Sequence, residues 1–128
     1  MLLYAQTTGT HNTNNGNWTA IPGLEVILPQ GVGDSALVIL NVPNPYAQGI
    51  ANPGGSFGIM VNNQVQSVVA SFTYNEPSPP SDGRIPTTLS LVVPLSSSQD
   101  LTVVAVWAGV RGANVVIDSP ATLTAVIA

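Results

Sequence analysis

LTVVAVWAGVRGANVVIDSPATLTAVI, residues 101–127, decides the fold. It holds three β runs, 101–108, 113–117 and 121–127, broken at Arg111-Gly112 and at Asp118-Ser119-Pro120. In the last run Leu123, Ala125 and Ile127 share one face, while Thr122, Thr124 and Val126 share the other. Period two with a mainly polar face marks a half-buried antiparallel strand. Residues 103–107, VVAVW, have no polar face, so such a strand must be covered on both sides. Upstream, 87–93 alternates again, with Leu89, Leu91 and Val93 against Thr88, Ser90 and Val92. Residues 36–42 begin with ALVIL, a second run apolar on both faces, and further runs lie at 2–8, 24–28, 56–61 and 64–74. A second sheet and a neighbouring copy would cover both faces of the two apolar runs; an ordinary central strand is the plainer alternative.

The connections agree with an all-β chain. Asn62-Asn63 suits a two-residue hairpin, because asparagine tolerates positive φ. Pro43-Asn44-Pro45, Asn52-Pro53-Gly54-Gly55 and Pro77-Ser78-Pro79-Pro80 mark loops, since proline cannot donate to a ladder. His11–Asn17, HNTNNGN, reads as a polar loop. Twelve Gly and 11 Pro leave few stretches able to hold a three-turn helix. Nine short strands with long Pro/Gly loops favour a jelly-roll sandwich, with an immunoglobulin-like sandwich as the alternative. At 128 residues the chain fits one domain, 1–128, with no repeat and no linker.

Composition removes several functions. There is no cysteine, which excludes thiolate metal sites and a cysteine nucleophile, and His11 is the one histidine. Charged residues are 6% of the chain against a usual value of about 25%. The only cationic side chains are Arg84 and Arg111, too few to displace the counterions of nucleic acid or to hold an anionic membrane. No apolar run nears the ~20 residues of a spanning helix, so no membrane insertion is expected. MLLYAQTTG has neither a basic nor a long apolar region, so no signal peptide is expected. With a net charge of −4 and so few charges, the surface must be covered with Ser, Thr, Asn and Gln or hidden against copies of itself.

The two arginines are the first candidates for chemistry. Each offers five donors in a planar fork that matches carboxylates, phosphates and vicinal sugar hydroxyls. Either can equally be structural glue for one of the six acids. Asp118-Ser119 ends an apolar run; the aspartate can accept from an arginine or a ligand hydroxyl, or bond its own backbone. Tyr46, Tyr74, Trp18 and Trp107 could present a flat face to a sugar, with core packing the plain reading of Trp107. Glycoside hydrolysis needs two carboxylates about 5–10 Å apart, and no acid pair stands in a recognisable pattern. No calcium loop is present. No catalytic constellation, metal or cofactor is expected. Asn17-Trp18-Thr19 is a glycosylation sequon, relevant only in a secretory pathway.

VILNVPNPYAQG (38–49), SFTYNE (71–76), SDGRIP (81–86) and VRGANVVIDSPATLTA (110–125), with Ile21-Pro22-Gly23-Leu24, together resemble a known family. It is the TNF-like fucose-binding lectin domain at the N-terminus of a Burkholderia superlectin. The resemblance runs from about residue 20 to the C-terminus. It implies a TNF-like jelly-roll β-sandwich assembled as a homotrimer, with metal-free sites between neighbouring subunits for L-fucose in H-type or Lewis-type glycans. Residue by residue, Arg84 and Arg111 match the arginines that grip fucose, and Thr73 and Tyr74 the pair that lines the pocket. Ser81 and Gly83 match the loop around it, and Tyr46, Asp118 and Ser119 also match. There are departures. Ser56 stands where the family has a pocket tyrosine, Asp82 where it has a threonine, Pro80 where it has a glutamate and Val116 where it has a histidine. The resemblance therefore keeps the residues that grip fucose and changes those that meet the rest of the glycan. A structural trimer without a sugar site, its arginines paired with Asp82 and Asp118, is the alternative.

Overall fold

A computed structural model describes residues 1–80 and 82–128. Twelve strands make it up: β1 (Leu2–Gln6), β2 (His11–Thr13), β3 (Thr19–Leu28), β4 (Ser35–Val42), β5 (Tyr46–Gln48), β6 (Gly54–Val61), β7 (Gln64–Val65), β8 (Ala70–Thr73), β9 (Thr87–Pro94), β10 (Leu101–Val110), β11 (Asn114–Ile117) and β12 (Thr122–Ile127). Among the described residues there is no helix, and so none long and apolar enough to cross a membrane. All pairings are antiparallel. One sheet runs β1-β12-β4-β9; a second runs β3-β10-β6-β7, with β8 also on β6; a small third runs β2-β11-β5. The result is an all-β, sandwich-like fold.

The core follows from the period-two pattern. Ala36, Val38, Leu40 and Val42 of β4 point inward with Leu123 and Ala125 of β12, against Leu24, Leu28, Phe57, Ile59, Val103 and Trp107 of the second sheet. Asn62 and Asn63 both have positive φ and form the two-residue hairpin between β6 and β7, as their residue type requires.

Three local expectations fail for identifiable reasons. His11–Thr13, read as loop, is a strand, because its backbone pairs with β11 and the ladder outweighs the polar composition. The run 64–74 is split into β7 and β8 by Gln66–Val69. β3 starts five residues before the expected 24, and it bulges. Ala20 opposes Val106 and Glu25 opposes Val104, so four residues of β3 face one of β10. Pro22 has no N–H to donate and Gly23 has φ +86°, so the excursion falls where the chain cannot keep the ladder.

The two strands apolar on both faces are treated differently. The outer face of β10 is covered from within: the Trp18 ring and Val106 both flank Gly58, and the Gly109 N–H donates to the Asn15 carbonyl. Residues 14–18 thus form a strap over it, and Val106 is 1% exposed. Among the described residues nothing covers β4 in this way. Leu2, Val126, Leu37 and Val92 stand directly opposite one another across all four strands of their sheet. They are 67%, 42%, 42% and 63% exposed, with Tyr4 and half-buried Ile39 on the same face.

Candidate functional site

The small sheet carries most of the site. Along β11, Val115 and Ile117 point into the core, so Asn114, Val116 and then Asp118 face outward. On β5 the same alternation buries Ala47 and turns Tyr46 and Gln48 outward, with Tyr46 opposite Val116 and Gln48 opposite Asn114. The segment from Asp82 to Ile85 lies along the free edge of β5. Its Ile85 N–H donates to the Pro45 carbonyl at 3.0 Å. The Tyr74 hydroxyl accepts from the Ala47 N–H at 3.2 Å and donates to the Gly83 carbonyl at 2.6 Å. One phenol therefore ties both strand edge and loop in place. Its ring packs edge-on against Phe72, which stacks on Phe57, linking the loop to the core. Burial pushes the Tyr74 phenol up and Asp82 adds to this, against the Ala47 N–H and Arg84, which pull it down.

Arg84 is at the centre. Its Nη1 donates to Asp118 Oδ1 at 2.5 Å and to the Asn44 carbonyl at 3.0 Å, and its Nη2 donates to Asp118 Oδ2 at 2.9 Å. The guanidinium lies 4.5 Å from the centre of the Tyr46 ring, within cation–π range. Asp118 holds Arg84 above the usual arginine range, and Arg84 in turn holds the Asp118 carboxyl below the usual carboxylate range. Three of the five N–H donors are used. Nε and the second Nη2 hydrogen have no partner among the described residues, and the side chain is exposed. Asn44 Nδ2 donates to Ser119 Oγ at 3.2 Å, and Gln48 Nε2 donates to Asp82 Oδ2 at 3.3 Å. Asp82 thus meets Gln48; the partner of Arg84 is Asp118.

Arg111 is elsewhere. Arg111 and Gly112, at φ +54° and +73°, make the tight turn between β10 and β11, closed by the Ala113 N–H on the Val110 carbonyl. Glycine suits this conformation, whereas arginine adopts it at a cost. Arg111 Nη1 donates to the Asn52 carbonyl at 2.9 Å. Near this end, Thr73 of β8 opposes Gly54 of β6, which opposes Val110 of β10. A Cβ on Gly54 would run into the Phe72 carbonyl and Thr73, so only glycine lets β8 approach here. Ser56 Oγ bonds Ser71 Oγ at 2.7 Å on the same strand pair. Asp118 is five extended steps along the chain from Ala113, about 16 Å. Arg84 therefore grips the residue after β11, while Arg111 sits in the turn before it and holds Asn52.

The structure brings Tyr46, Tyr74, Asp82, Gly83, Arg84, Asp118 and Ser119 together and sets Ser56, Thr73 and Arg111 apart from them. Ser81 lies outside the described residues. Sequence reasoning missed Asn44, Gln48 and Asn52, the partners of Arg84, Asp82 and Arg111; Asn44, between two prolines beside Tyr46, was the one with a local signal. Beside Tyr74, Gly83 and Ile85 an open pocket of about 360 Å³ reaches Asn75, Glu76, Pro79 and Pro80. Among the described residues no group of His, Asp and Glu could hold a metal ion.

Residues 4–126 match the Bc2l-C N-terminal domain family, that of a Burkholderia superlectin. The chain belongs to the Bc2l-C N-terminal domain family. It is a lectin-type domain family, and carbohydrate is the class of partner it implies. No curated protein matches the chain. Two solved structures are distantly similar. The insecticidal delta-endotoxin Cry8Ea1 of Bacillus thuringiensis is 15% identical over 89% of this chain and 19% of its own, with a TM-score of 0.46. Dimeric latent PorU of Porphyromonas gingivalis is 16% identical over 95% of this chain and 13% of its own, also at 0.46. The chain thus spans less than a fifth of either. The four departures from the Bc2l-C pattern now have places. Ser56 is tied to Ser71, Asp82 to Gln48, Pro80 walls the pocket, and Val116 is buried beside Tyr46.

Proposed function

We propose that this chain is a single TNF-like lectin domain that binds L-fucose in fucosylated glycans, without metal and without turnover, at sites shared between the subunits of a homotrimer. The observation that carries the reading is the posed Arg84 fork. Asp118 and Tyr46 fix its plane, and two donors remain for a ligand in a chain with one other cationic side chain. Such charge-assisted donors suit ring and hydroxyl oxygens. Family membership supports carbohydrate as the ligand class, and the resemblance supports fucose.

Three features support the assembly. Leaving out β7 and the small third sheet, the first, third, sixth and eighth remaining strands form one sheet and the second, fourth, fifth and seventh the other, an order that suits a jelly roll. The row Leu2–Val126–Leu37–Val92 is an apolar face able to meet copies of itself. Arg84 and Arg111 are placed near opposite ends of β11 and share no partner, which suits a site to which two copies each bring one arginine. The structural reading, a trimer without a sugar site, draws on the same ion pair, because Asp118 alone gives Arg84 a structural role.

Titration calorimetry with methyl α-L-fucoside, with and without chelator, tests the function. Binding that survives the chelator and falls about tenfold or more in Arg84→Ala and in Arg111→Ala, with assembly intact, is expected. Wild-type affinity in either variant would return that arginine to structural glue.

A further inference from the structure

The strap over β10 contains the one Asn-Gly pair of the chain, Asn15-Gly16, and both residues are exposed. The Asn15 side chain is folded back on the chain. Its Oδ1 accepts from the Asn17 N–H at 2.9 Å, which brings the side-chain amide over the peptide nitrogen of Gly16. Glycine has no side chain to screen that nitrogen. The strap is pinned at both ends by ladders: Thr13 is paired with Val115 of β11, and Thr19 with Trp107 of β10. Between them the Asn15 carbonyl accepts from the Gly109 N–H at 2.8 Å, and the Trp18 ring stands beside Gly58.

We propose that Asn15-Gly16 is a self-modification site whose isoaspartate product unlatches the strap. The Gly16 nitrogen loses its proton to hydroxide and bonds to the side-chain carbon of Asn15. The C–N bond of the side-chain amide breaks, and ammonia leaves with a proton from water. A second water then opens the five-membered imide at one of its two carbonyls. One opening gives an ordinary aspartate. That residue keeps the length of the strap, the carbonyl for Gly109 and an oxygen for Asn17. The other opening gives isoaspartate, whose main chain runs through the former side chain. The strap is then longer by one methylene, about 1.5 Å, between ends that the ladders hold in place. The former main-chain carbonyl, which met the Gly109 N–H, becomes part of a charged carboxylate on a branch. The isomer therefore lifts Trp18 away from Gly58 and bares the outer face of β10. Ammonia is lost, so the change is one-way, and it needs no enzyme.

The test holds the intact protein for days at mildly alkaline pH, with a mildly acidic sample as control. The alkaline sample should release ammonia and gain one mass unit, first in the peptide that carries residue 15, with the two isomers separated by chromatography. Asp82-Gly83 reaches an imide only by losing water, so it shows no such gain. The isoaspartate fraction should have redder tryptophan emission, because Trp18 leaves its place while Trp107 stays in the core. Its thermal midpoint should fall by about 4 °C. Asn15→Asp should match wild type in both. Gly16→Ala has room, since its Cβ would meet nothing nearer than the Gly109 carbonyl at 4.0 Å, and should slow the mass gain several-fold with the fold unchanged. No gain at residue 15 over a period in which a free peptide of residues 11–19 reacts fully overturns the proposal. So does an isoaspartate form with unshifted emission and midpoint, or a gain as fast in Gly16→Ala as in wild type.

Discussion

The two sheets present outer faces of similar chemistry and opposite fate. β10 and β4 are both apolar on two sides. Over β10 the chain lays its own strap, with Trp18 beside Val106 around Gly58. Over β4 none of the described residues lies, and four aliphatic side chains in register stay exposed. An apolar strand in a weakly charged chain therefore carries two possible meanings, and only the path of the rest of the chain separates them. The strapped face is finished within one copy. The open face is where a second copy would be placed.

The largest expected effect is on assembly. Leu37→Glu puts a charge into the middle of the open row, where association would have to bury it without a partner. Light scattering should fall from about three times 13.1 kDa to the single-chain mass, with the fold retained. A wild-type protein already at 13.1 kDa would end the comparison, since the open face would then have no use. Trp18→Ala should behave in the opposite manner. It opens the face beside Val106 and should cost about 2 kcal/mol of stability in denaturant titration, because the residue is 37% exposed and only part of its area is lost. The oligomeric state should not change. Dissociation in this variant would mean that the strapped face, too, meets a neighbour.

Acid provides a smaller test, of the site rather than the faces. Arg84 holds the Asp118 carboxyl below its ordinary value of about 3.9. A depressed carboxylate contributes its pairing above that ordinary value and loses it as pH falls through the lowered one. Fucose binding should therefore be flat from neutral pH down to about 4 and fall only below it. A fall between pH 7 and 5 would point to another group. The smallest effect is at position 56. Ser56→Tyr should restore a ring to the wall on β6 and strengthen fucose binding by a few fold, with Asp82→Thr a lesser step. No change in Ser56→Tyr would show that position 56 does not face the sugar.

The sequence carried the strands that obey period two, such as β9 and β12, because alternation is a local signal. It also carried the Asn62-Asn63 hairpin, where residue type alone sets the turn. It did not carry β2, whose polar residues are extended only because β11 lies beside them, nor β5, three residues after a proline. Both are tertiary effects. For the site, the arginines, the tyrosines and Asp118 stood out by rarity and by resemblance. Their pairing did not. Asn44, Gln48 and Asn52 become partners only once β5, β11 and the two loops are assembled, and Asp82, two residues from Arg84, looked a nearer partner than Asp118, which is 34 residues away.

The central claim is that Arg84 of one copy and Arg111 of another complete each sugar site. Mixed assemblies test it most directly. Arg84→Ala and Arg111→Ala proteins, each weakened about tenfold or more, are unfolded together and refolded as a mixture, and methyl α-L-fucoside binding is titrated. Where a subunit that keeps Arg84 meets one that keeps Arg111, a complete site is rebuilt, so the mixture should recover wild-type affinity at a fraction of its sites. A mixture as inactive as its two parents would contradict the shared site.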